Sequence, residues 1–417
     1  SASIIEPAYV QAEGIKPGTI LFRYNFPGTI SLTDVSILDI NDDDKKEIIV
    51  NELKKDLLII HILDNKGNRI HSFEGARNQK IRHNEYDWLC IMEPIGLMDV
   101  NNDGHQDILF EVRTTYAYQP RGIYAYDFFH RKFAWKYRCG FQPETSQLID
   151  INGDGKREIL IGSKSPENCD NISINGTDDL HLYLTVLDSL GNEISRQTIG
   201  GRFSNVRLFV RDVNKDGNSE IIIHFHCGDK PKENDYVAFW QPLTGRIAPK
   251  ISMEKSLCNH LAFLDVDKDG YDEMLIGWSD GTFEIRNHRL ELVRSKRFIN
   301  FFPESLASLD LNSDGEKEFA VTGKFEGNPR LLILNGKLDI LALKEKVVSI
   351  NVEQGNLVNP GFGKEKLFIA HSKYEKVLLK MKKNFFAISP VYWVWLGRGF
   401  LLGIFLTAIF ITILARK

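Results

Sequence analysis

One nine-residue pattern returns six times along this chain of 417 residues and limits what the chain can fold into. Every copy has aspartate at positions 1 and 5, aspartate or asparagine at position 3, and a carboxylate at position 9. Position 6 is glycine in five copies and Asp44 in the first. We call the copies loops 1 to 6, and they cover residues 39–47, 99–107, 150–158, 212–220, 265–273 and 310–318.

The side chains of this pattern are the oxygen ligands that calcium requires. Calcium takes about six to eight oxygens at roughly 2.3–2.6 Å, and a glycine at position 6 allows the sharp turn around the ion. The pattern predicts Ca2+ in each loop, with a weaker site in loop 1 because Asp44 strains the turn. The predicted metal ligands are Asp39, Asn41, Asp43, Glu47, Asp99, Asn101, Asp103, Asp107, Asp150, Asn152, Asp154, Glu158, Asp212, Asn214, Asp216, Glu220, Asp265, Asp267, Asp269, Glu273, Asp310, Asn312, Asp314 and Glu318.

An EF-hand is the first alternative, because its loop opens with the same spacing. It needs a bidentate Glu at position 12 and a helix on each side. Apolar runs bounded by turn residues flank these loops instead, and such runs indicate buried strands. Each loop is therefore predicted to join two antiparallel strands. Position 12 is apolar in all six copies, which excludes the EF-hand: Val50, Phe110, Ile161, Ile223, Ile276 and Val321.

The spacing of the loops predicts the architecture. Successive first aspartates are 60, 51, 62, 53 and 45 residues apart, a period typical of propellers. A second strand pair is predicted in each interval, and four strands per repeat form a propeller blade. These pairs are placed at residues 57–63 with 69–73, and from 123–126, 183–187, 237–240, 283–286 and 331–334 onward.

A seventh blade without metal ligands is predicted near the end of the repeats. Residues 357–369 keep the loop length and the turn glycine, but Val358, Pro360, Phe362 and Lys366 replace the ligands. Residues 19–26 are expected to supply the outermost strand of this blade, which would close the ring. The predicted fold class is all-β: a seven-bladed β-propeller, six blades with calcium loops and one degenerate, followed by one transmembrane α-helix.

These loops resemble the FG-GAP and VCBS-type repeats of integrin alpha chains and many bacterial surface proteins. The resemblance covers about residues 19 to 386, and it implies a calcium-bearing β-propeller. The Phe-Gly and Gly-Ala-Pro signatures of that family are degraded here, for example to Ile-Gly-Ser at residues 161–163. The resemblance is specific for the fold and weak for the function.

A membrane helix is predicted after the propeller. Residues 399–415 contain no charge, and the preceding residues 391–396 extend this run to a length that spans a bilayer. Tyr392, Trp393 and Trp395 are typical of an interfacial belt. A buried helix that closes the propeller is the alternative, but a ring of strands has no groove for so apolar a cylinder. The predicted domains are an N-terminal segment (1–18), the propeller (19–386) and a juxtamembrane segment with the helix (387–417).

The predicted localisation rests on the calcium loops more than on the charges that flank the predicted helix. Lysines lie on one side of the predicted helix and Arg416 and Lys417 on the other, so charge counting does not decide the orientation. Loops of this kind suit the calcium levels outside a cell. We expect a single-pass protein of the cell membrane with the propeller on the extracytoplasmic side.

Composition excludes some classes of protein. A net charge of −4 gives no basic excess, so nucleic acid is not an expected partner. The five cysteines show no metal-binding spacing, and the sequence alone assigns no disulfide. Residues 277–281 match Gly-x-Ser-x-Gly, but no helix is predicted after them, so we expect no catalytic serine and no enzyme. His224 and His226 are predicted to lie on a strand.

Partner binding is expected on the face opposite the calcium loops, where the longer connections lie. These are residues 75–88, 113–121, 163–179 and 227–235, and long loops on a rigid scaffold commonly carry binding function. Aromatic side chains are favoured at interfaces, so Tyr86, Trp88, Tyr116 and Tyr118 are candidate ligand contacts. The alternative is that these loops are tolerated insertions.

Two functions remain open at this point. The first is the sensing ectodomain of a signalling receptor, with an extracellular protein, peptide or glycan as ligand. The second is an integrin-like adhesion or assembly protein of the cell surface. The chain ends two residues after the predicted helix, so signalling would need an attached cytoplasmic domain or a membrane partner subunit. We favour the sensor, with calcium as a structural ion and no catalysis.

Overall fold

The computed structural model describes residues 3–5, 24–26, 35–41, 43, 45–81, 88–115, 117–228, 235–252, 260–309, 317–345, 349–351, 367–372 and 375–380. These residues form strands and turns, and they include no helix long and apolar enough to cross a membrane. The predicted membrane helix and residues 357–366 of the degenerate loop lie outside them.

The strands are β1 (Ser3–Ile5), β2 (Tyr24–Phe26), β3 (Val35–Leu38), β4 (Glu47–Lys54), β5 (Leu57–Leu63), β6 (Arg69–Arg77), β7 (Gln79–Lys80), β8 (Cys90–Met98), β9 (Asp107–Thr114), β10 (Tyr118–Gln119), β11 (Gly122–Asp127), β12 (Lys132–Arg138), β13 (Gln142–Ile149), β14 (Glu158–Lys164), β15 (Leu182–Leu187), β16 (Glu193–Gly200), β17 (Asn205–Arg211), β18 (Glu220–His226), β19 (Tyr236–Gln241), β20 (Arg246–Ser252), β21 (Ala262–Leu264), β22 (Glu273–Gly277), β23 (Thr282–Arg286), β24 (Leu292–Arg297), β25 (Phe301–Leu309), β26 (Glu318–Phe325), β27 (Asn328–Leu334), β28 (Ile340–Glu345), β29 (Ser349–Asn351), β30 (Leu367–Ser372) and β31 (Glu375–Lys380).

Most strands belong to consecutive four-stranded antiparallel sheets. We number them sheet 1 (β3–β6), sheet 2 (β8, β9, β11, β12), sheet 3 (β13–β16), sheet 4 (β17–β20), sheet 5 (β21–β24) and sheet 6 (β25–β28). Sheets 3 and 4 are also joined by the single residue pair Lys164 and Asn205. The strands β29–β31 form a three-stranded sheet 7, and β7 pairs with β10.

Hydrophobicity explains the order of strands within a sheet. The second and third strands are apolar runs buried on both faces, as in β9 and β11. The fourth strand alternates polar and apolar residues, or is mostly exposed, as in β12 and β24. The second and third strands therefore lie in the interior, and the fourth strand lies at the solvent edge.

The sheets pack face to face in chain order. The first strand of a sheet contacts strands of the sheet before it, as β13 contacts β8 and β9, and β25 contacts β21 and β22. Five apolar clusters each combine side chains of two consecutive sheets, from sheets 1 and 2 through to sheets 5 and 6. Radially packed four-stranded sheets of this kind form a β-propeller.

The predicted strand pairs are confirmed in sheets 1 to 6, where all of them occur as β-hairpins. Of residues 19–26, which are predicted to supply the outermost strand of the seventh blade, the structure describes only β2, and β2 pairs with β1. The number of blades and the closure of the ring stay predictions.

Two smaller expectations also have structural outcomes. The Gly-x-Ser-x-Gly residues lie in the tight turn between β22 and β23, where the N–H of Gly281 donates to the carbonyl of Trp278 over 2.9 Å. Among the described cysteines, Cys139 and Cys227 are free thiols.

Candidate functional site

The described loops lie at one end of the propeller, each between the first and second strands of its sheet. Position 9 is the first residue of the second strand, and it pairs in the ladder with the last residue of the first strand, as Asp107 pairs with Met98. Loops 2 to 5 are described completely. Of loop 1, residues 42 and 44 lie outside the described residues, and of loop 6 only Lys317 and Glu318 lie within them.

The carboxylate at position 9 closes each described loop. It accepts a hydrogen bond from the backbone N–H of position 2, over 2.8–3.0 Å in loops 1 to 5. The donor and acceptor pairs are Ile40 with Glu47, Val100 with Asp107, Ile151 with Glu158, Val213 with Glu220 and Val266 with Glu273.

The carboxylates and amides at positions 1, 3 and 5 are held by the turn itself. In loop 4 the N–H of Gly217 donates to Asp212 over 3.0 Å, and the N–H of Asp216 donates to Asn214 over 2.9 Å. The same two contacts occur in loops 2 and 3, with distances of 2.8–3.0 Å. The turn therefore brings the oxygen ligands of positions 1, 3 and 5 together.

Several of these oxygens have no partner within the described protein. In loop 5, Asp265, Asp267 and Asp269 each place one oxygen within 4.8 Å of the others. Oδ1 of Asp265 and Oδ1 of the fully buried Asp107 are buried without a hydrogen-bond donor among the described residues. Buried carboxylate oxygens without partners are costly. A hard cation with oxygen ligands fits this arrangement, so the residues present suit Ca2+.

The electrostatics of the loops favour a cation as well. Burial, with a contribution from the neighbouring loop carboxylates and against the hydrogen bond from position 2, raises the pKa of the Glu47 and Glu273 carboxyls to about 7. The same causes raise the pKa of Asp107 to about 6 and raise that of Glu158 and Glu220. A nearby cation favours the ionised carboxylates, so it would oppose these shifts.

The candidate ligand contacts on the opposite face have a different outcome. Trp88 and Tyr118 are each only 4 % exposed and belong to the apolar cluster of sheets 1 and 2. The expectation that these two side chains are exposed is wrong, because both rings pack against apolar side chains of that cluster. Tyr86 and Tyr116 lie outside the described residues.

The connection between β14 and β15 is fixed by buried polar groups. The buried Asp179 carboxylate accepts the N–H groups of Asn168 and Cys169, both over 2.5 Å. The fully buried Arg121 donates to Oδ1 of Asn168 over 2.5 Å. These buried hydrogen bonds hold the backbone of the connection in one conformation on the face opposite the loops.

A belt of ionisable side chains around the axis was not predicted. Sheets 2 to 6 carry one each, in the first strand or just before it and five or six residues before the first aspartate of the loop. We call this set the axial belt: Glu93, Glu144, Arg207, His260 and Glu304. In three strands the belt residue is six residues from the loop instead of five, and each of these strands has a β-bulge beside a proline, Pro94, Pro143 or Pro303. The bulge takes up the additional residue, so all five belt residues lie at one level.

Ion pairs connect the belt to itself and to the second strands. Arg207 donates to Glu144 of the preceding sheet over 2.9 Å, and Arg113 pairs with Glu93. Lys324 pairs with Glu304 over 2.5 Å. Acidic and basic side chains therefore neutralise one another along the axis. Three members of the belt could have been found in the sequence. Glu93, Glu144 and Glu304 each lie beside a proline, six residues before the first aspartate of the loop.

His224 lies directly beneath the belt. It is 1 % exposed and pairs in the ladder with Arg207, and neither ring nitrogen has a hydrogen-bond partner among the described residues. Burial lowers the pKa of His224 to about 3, and the positive charge of Arg207 contributes. The predicted strand position of His224 and His226 is confirmed.

No protein-family model and no curated protein matches this chain. Solved structures similar to it include BBS1N from a crystal structure with ARL6DN, with a TM-score of 0.48, 9 % identity and coverage of 85 % of this chain and 92 % of that chain. BamB from Moraxella catarrhalis has a TM-score of 0.48 and 14 % identity, over 85 % of this chain and 84 % of that chain. The Dos1 propeller has a TM-score of 0.48 and 9 % identity, over 92 % and 90 %. These similarities concern the fold alone.

The pH dependence of stability should report the buried His224. The folded state takes up this proton only near pH 3, whereas an unfolded histidine does so near pH 6.5, so the stabilising contribution is lost as the pH falls through this window. The difference in unfolding free energy between wild type and His224→Gln should fall by about 1.4 kcal/mol per pH unit between pH 6 and 4. Urea unfolding at several pH values measures it, with the exposed His105→Gln as control; parallel curves for wild type and His224→Gln would contradict the prediction.

Proposed function

We propose that this chain is a non-catalytic binding propeller of the FG-GAP and VCBS type, held at the outer side of a membrane by residues 391–415, with calcium as a structural ion. Its role is the sensing ectodomain of a signalling receptor. The observation that carries the proposal is the loop geometry. Five described loops repeat the same closing hydrogen bond, and two of them contain buried carboxylate oxygens without a donor.

Calcium would be held by positions 1, 3, 5 and 9 of each loop. When bound, it supplies positive charge to carboxylates that burial and mutual repulsion now destabilise. The chain itself does the positioning, because the turn orients positions 1, 3 and 5 and the sheet ladder fixes position 9. A ligand that binds only the folded state stabilises that state, so the ion's role follows from mass action.

Removal of calcium should lower the melting temperature by several degrees without loss of strand content. Binding at a hundred times the dissociation constant stabilises by about 2.7 kcal/mol per site, and in a domain of this size one kcal/mol shifts the midpoint by a few degrees. Thermal unfolding by circular dichroism with calcium and with excess EDTA tests this. Asp265→Asn with Asp269→Asn should reduce the calcium effect, whereas Asp339→Asn, outside the loops, should leave it unchanged. An identical midpoint in both buffers would refute filled sites.

The binding surface is the face opposite the loops, where the connection between β14 and β15 is anchored on Arg121 and Asp179. We expect a protein ligand there, because this connection holds a fixed backbone while side chains such as Asn171 remain exposed. Long connections on a rigid scaffold are typical binding sites.

Site-specific photo-crosslinking in native membranes tests this surface. A photoreactive residue in place of Asn171 should give adducts with a protein, because this position is exposed on the anchored connection. The matched control replaces Lys156, which is exposed on loop 3 at the other end of the same sheet. Adducts from the Lys156 position alone, or equally from both, would remove the proposed face.

Membrane anchoring is tested through the apolar run. Phe405→Lys with Leu406→Lys places two charges at the centre of residues 399–415, where each lysine costs about 2.5–3.5 kcal/mol in a bilayer. The variant should leave the membrane fraction after an alkaline wash, while wild type stays. Ile299→Lys with Leu243→Lys adds the same charge at exposed positions of the propeller and should stay with the membrane. Retention of the first variant would exclude the proposed helix.

A further inference from the structure

Sheet 2 differs from its neighbours in the hairpin between the third and fourth strands. In sheets 1, 3, 5 and 6 an aspartate or asparagine follows the third strand, and its side-chain oxygen accepts the N–H groups two and four residues later, over 2.7–3.0 Å. This residue lies opposite position 9. The residue after position 9 pairs in the ladder with the last residue of the third strand, which directly precedes the aspartate or asparagine. The four residues are Asp64, Asp188, Asn287 and Asn335.

Asp127 takes this place in sheet 2, but its hairpin is one residue longer. Six residues separate the paired Tyr126 and Phe133, as they do the equivalent pair in sheet 4, whereas five separate the equivalent pairs in sheets 1, 3, 5 and 6. Oδ1 of Asp127 caps the turn by accepting the N–H of His130 over 2.8 Å. The other oxygen, Oδ2, accepts Nδ2 of Asn101 in loop 2 over 3.1 Å. The buried Asp127 therefore faces the loop as well as its own turn.

The longer hairpin also brings an imidazole to loop 2. Nδ1 of His130 lies 2.8 Å from Oδ2 of Asp127 and 3.3 Å from Oδ2 of Asp103. These three atoms all lie within 4.8 Å of one another. Ligands of one tetrahedral zinc ion, at bonds of about 2.0–2.1 Å, are roughly 3.3 Å apart. The observed separations therefore match a common small ion after minor adjustment.

A buried oxygen beside this group has no donor. Asp107 is fully buried, its Oδ2 accepts the N–H of Val100, and its Oδ1 has no hydrogen-bond partner among the described residues. Asp107 interacts electrostatically with Asp99, Asp103 and Asp127, so it lies among the same carboxylates. An unpaired buried carboxylate oxygen is costly without a cation. This observation is independent of the contacts of His130.

We propose that Asp103, Asp127 and His130 form a binding site for a first-row transition-metal dication such as Zn2+. Calcium takes oxygen ligands, whereas an imidazole nitrogen combined with carboxylates suits zinc and its neighbours in the series. Loops 3 to 5 contain no histidine and are the reference sites for calcium. The inference goes beyond the calcium role proposed above, and in loop 2 it assigns Asp103 to this ion instead of to calcium.

Cobalt titration of the full chain in saturating calcium tests the site, because Co2+ reports a nitrogen and oxygen environment through its visible absorption. Wild type should bind one equivalent of Co2+, and Zn2+ should displace it. His130→Gln should weaken this binding by at least about tenfold, since the loss of a supporting partner alone costs 10–100-fold at metal sites. Competition by calcium that abolishes the cobalt signal would overturn the proposal.

Two histidine variants serve as matched controls. His105→Gln alters the same loop, where His105 stacks on Phe129 outside the group. His181→Gln alters an exposed histidine that pairs with Asp178 over 2.9 Å but has no second carboxylate beside it among the described residues. Both should keep full cobalt affinity. Equal affinity in wild type and His130→Gln, with both proteins folded by circular dichroism, would show that His130 is no ligand. The calcium-dependent melting of His130→Gln separates this failure from a failure of the calcium proposal.

Discussion

The hydrogen bond from position 2 to the carboxylate of position 9 is the interaction on which each blade depends. It links the start of the loop to the first residue of the second strand, and that residue already pairs with the end of the first strand. The side chain at position 2 is buried in loops 1, 2 and 4, so the same bond sets the loop against the core. The cost is a desolvated carboxylate, and in loop 2 its second oxygen has no hydrogen-bond donor among the described residues. That cost is the reason why we propose a cation in the loops.

The blades are combined by two kinds of contact with different roles. Apolar clusters shared between consecutive sheets supply most of the burial, and they are insensitive to direction along the axis. The axial belt is directional, because Arg207 meets Glu144 of the preceding sheet only when the first strands are aligned. Bulges beside Pro94, Pro143 and Pro303 correct the alignment where a strand has an extra residue. Hydrophobic packing alone would allow neighbouring blades to shift relative to each other along the axis. We infer that the ion pairs of the belt fix their relative positions.

The sequence was sufficient for features that repeat and insufficient for features that occur once. The loops and strand pairs follow from local chemistry at a fixed period, so they were predictable in sheets 1 to 6. The burial of Trp88 and Tyr118 was not, because it depends on packing against apolar side chains from two sheets. Aromatic residues in long loops indicated an interface, and tertiary packing used them as core. The pairing of β2 with β1 depends in the same way on contacts far apart in the sequence.

The hairpin between the third and fourth strands decides how much a blade departs from the repeat. The loops of sheets 1 to 5 share the closing hydrogen bond, so the loop alone gives these sites the same oxygen chemistry. Where the hairpin has five residues, one oxygen of its aspartate or asparagine accepts two backbone donors of the turn. In sheet 2, Oδ1 of Asp127 accepts the N–H of His130, while Oδ2 accepts a hydrogen bond from Nδ2 of Asn101 in loop 2 and lies 2.8 Å from Nδ1 of His130. A change of one residue in a turn therefore alters the ligand set of a neighbouring loop without any change in the loop itself, and a repeat protein acquires a distinct site while its core stays the same.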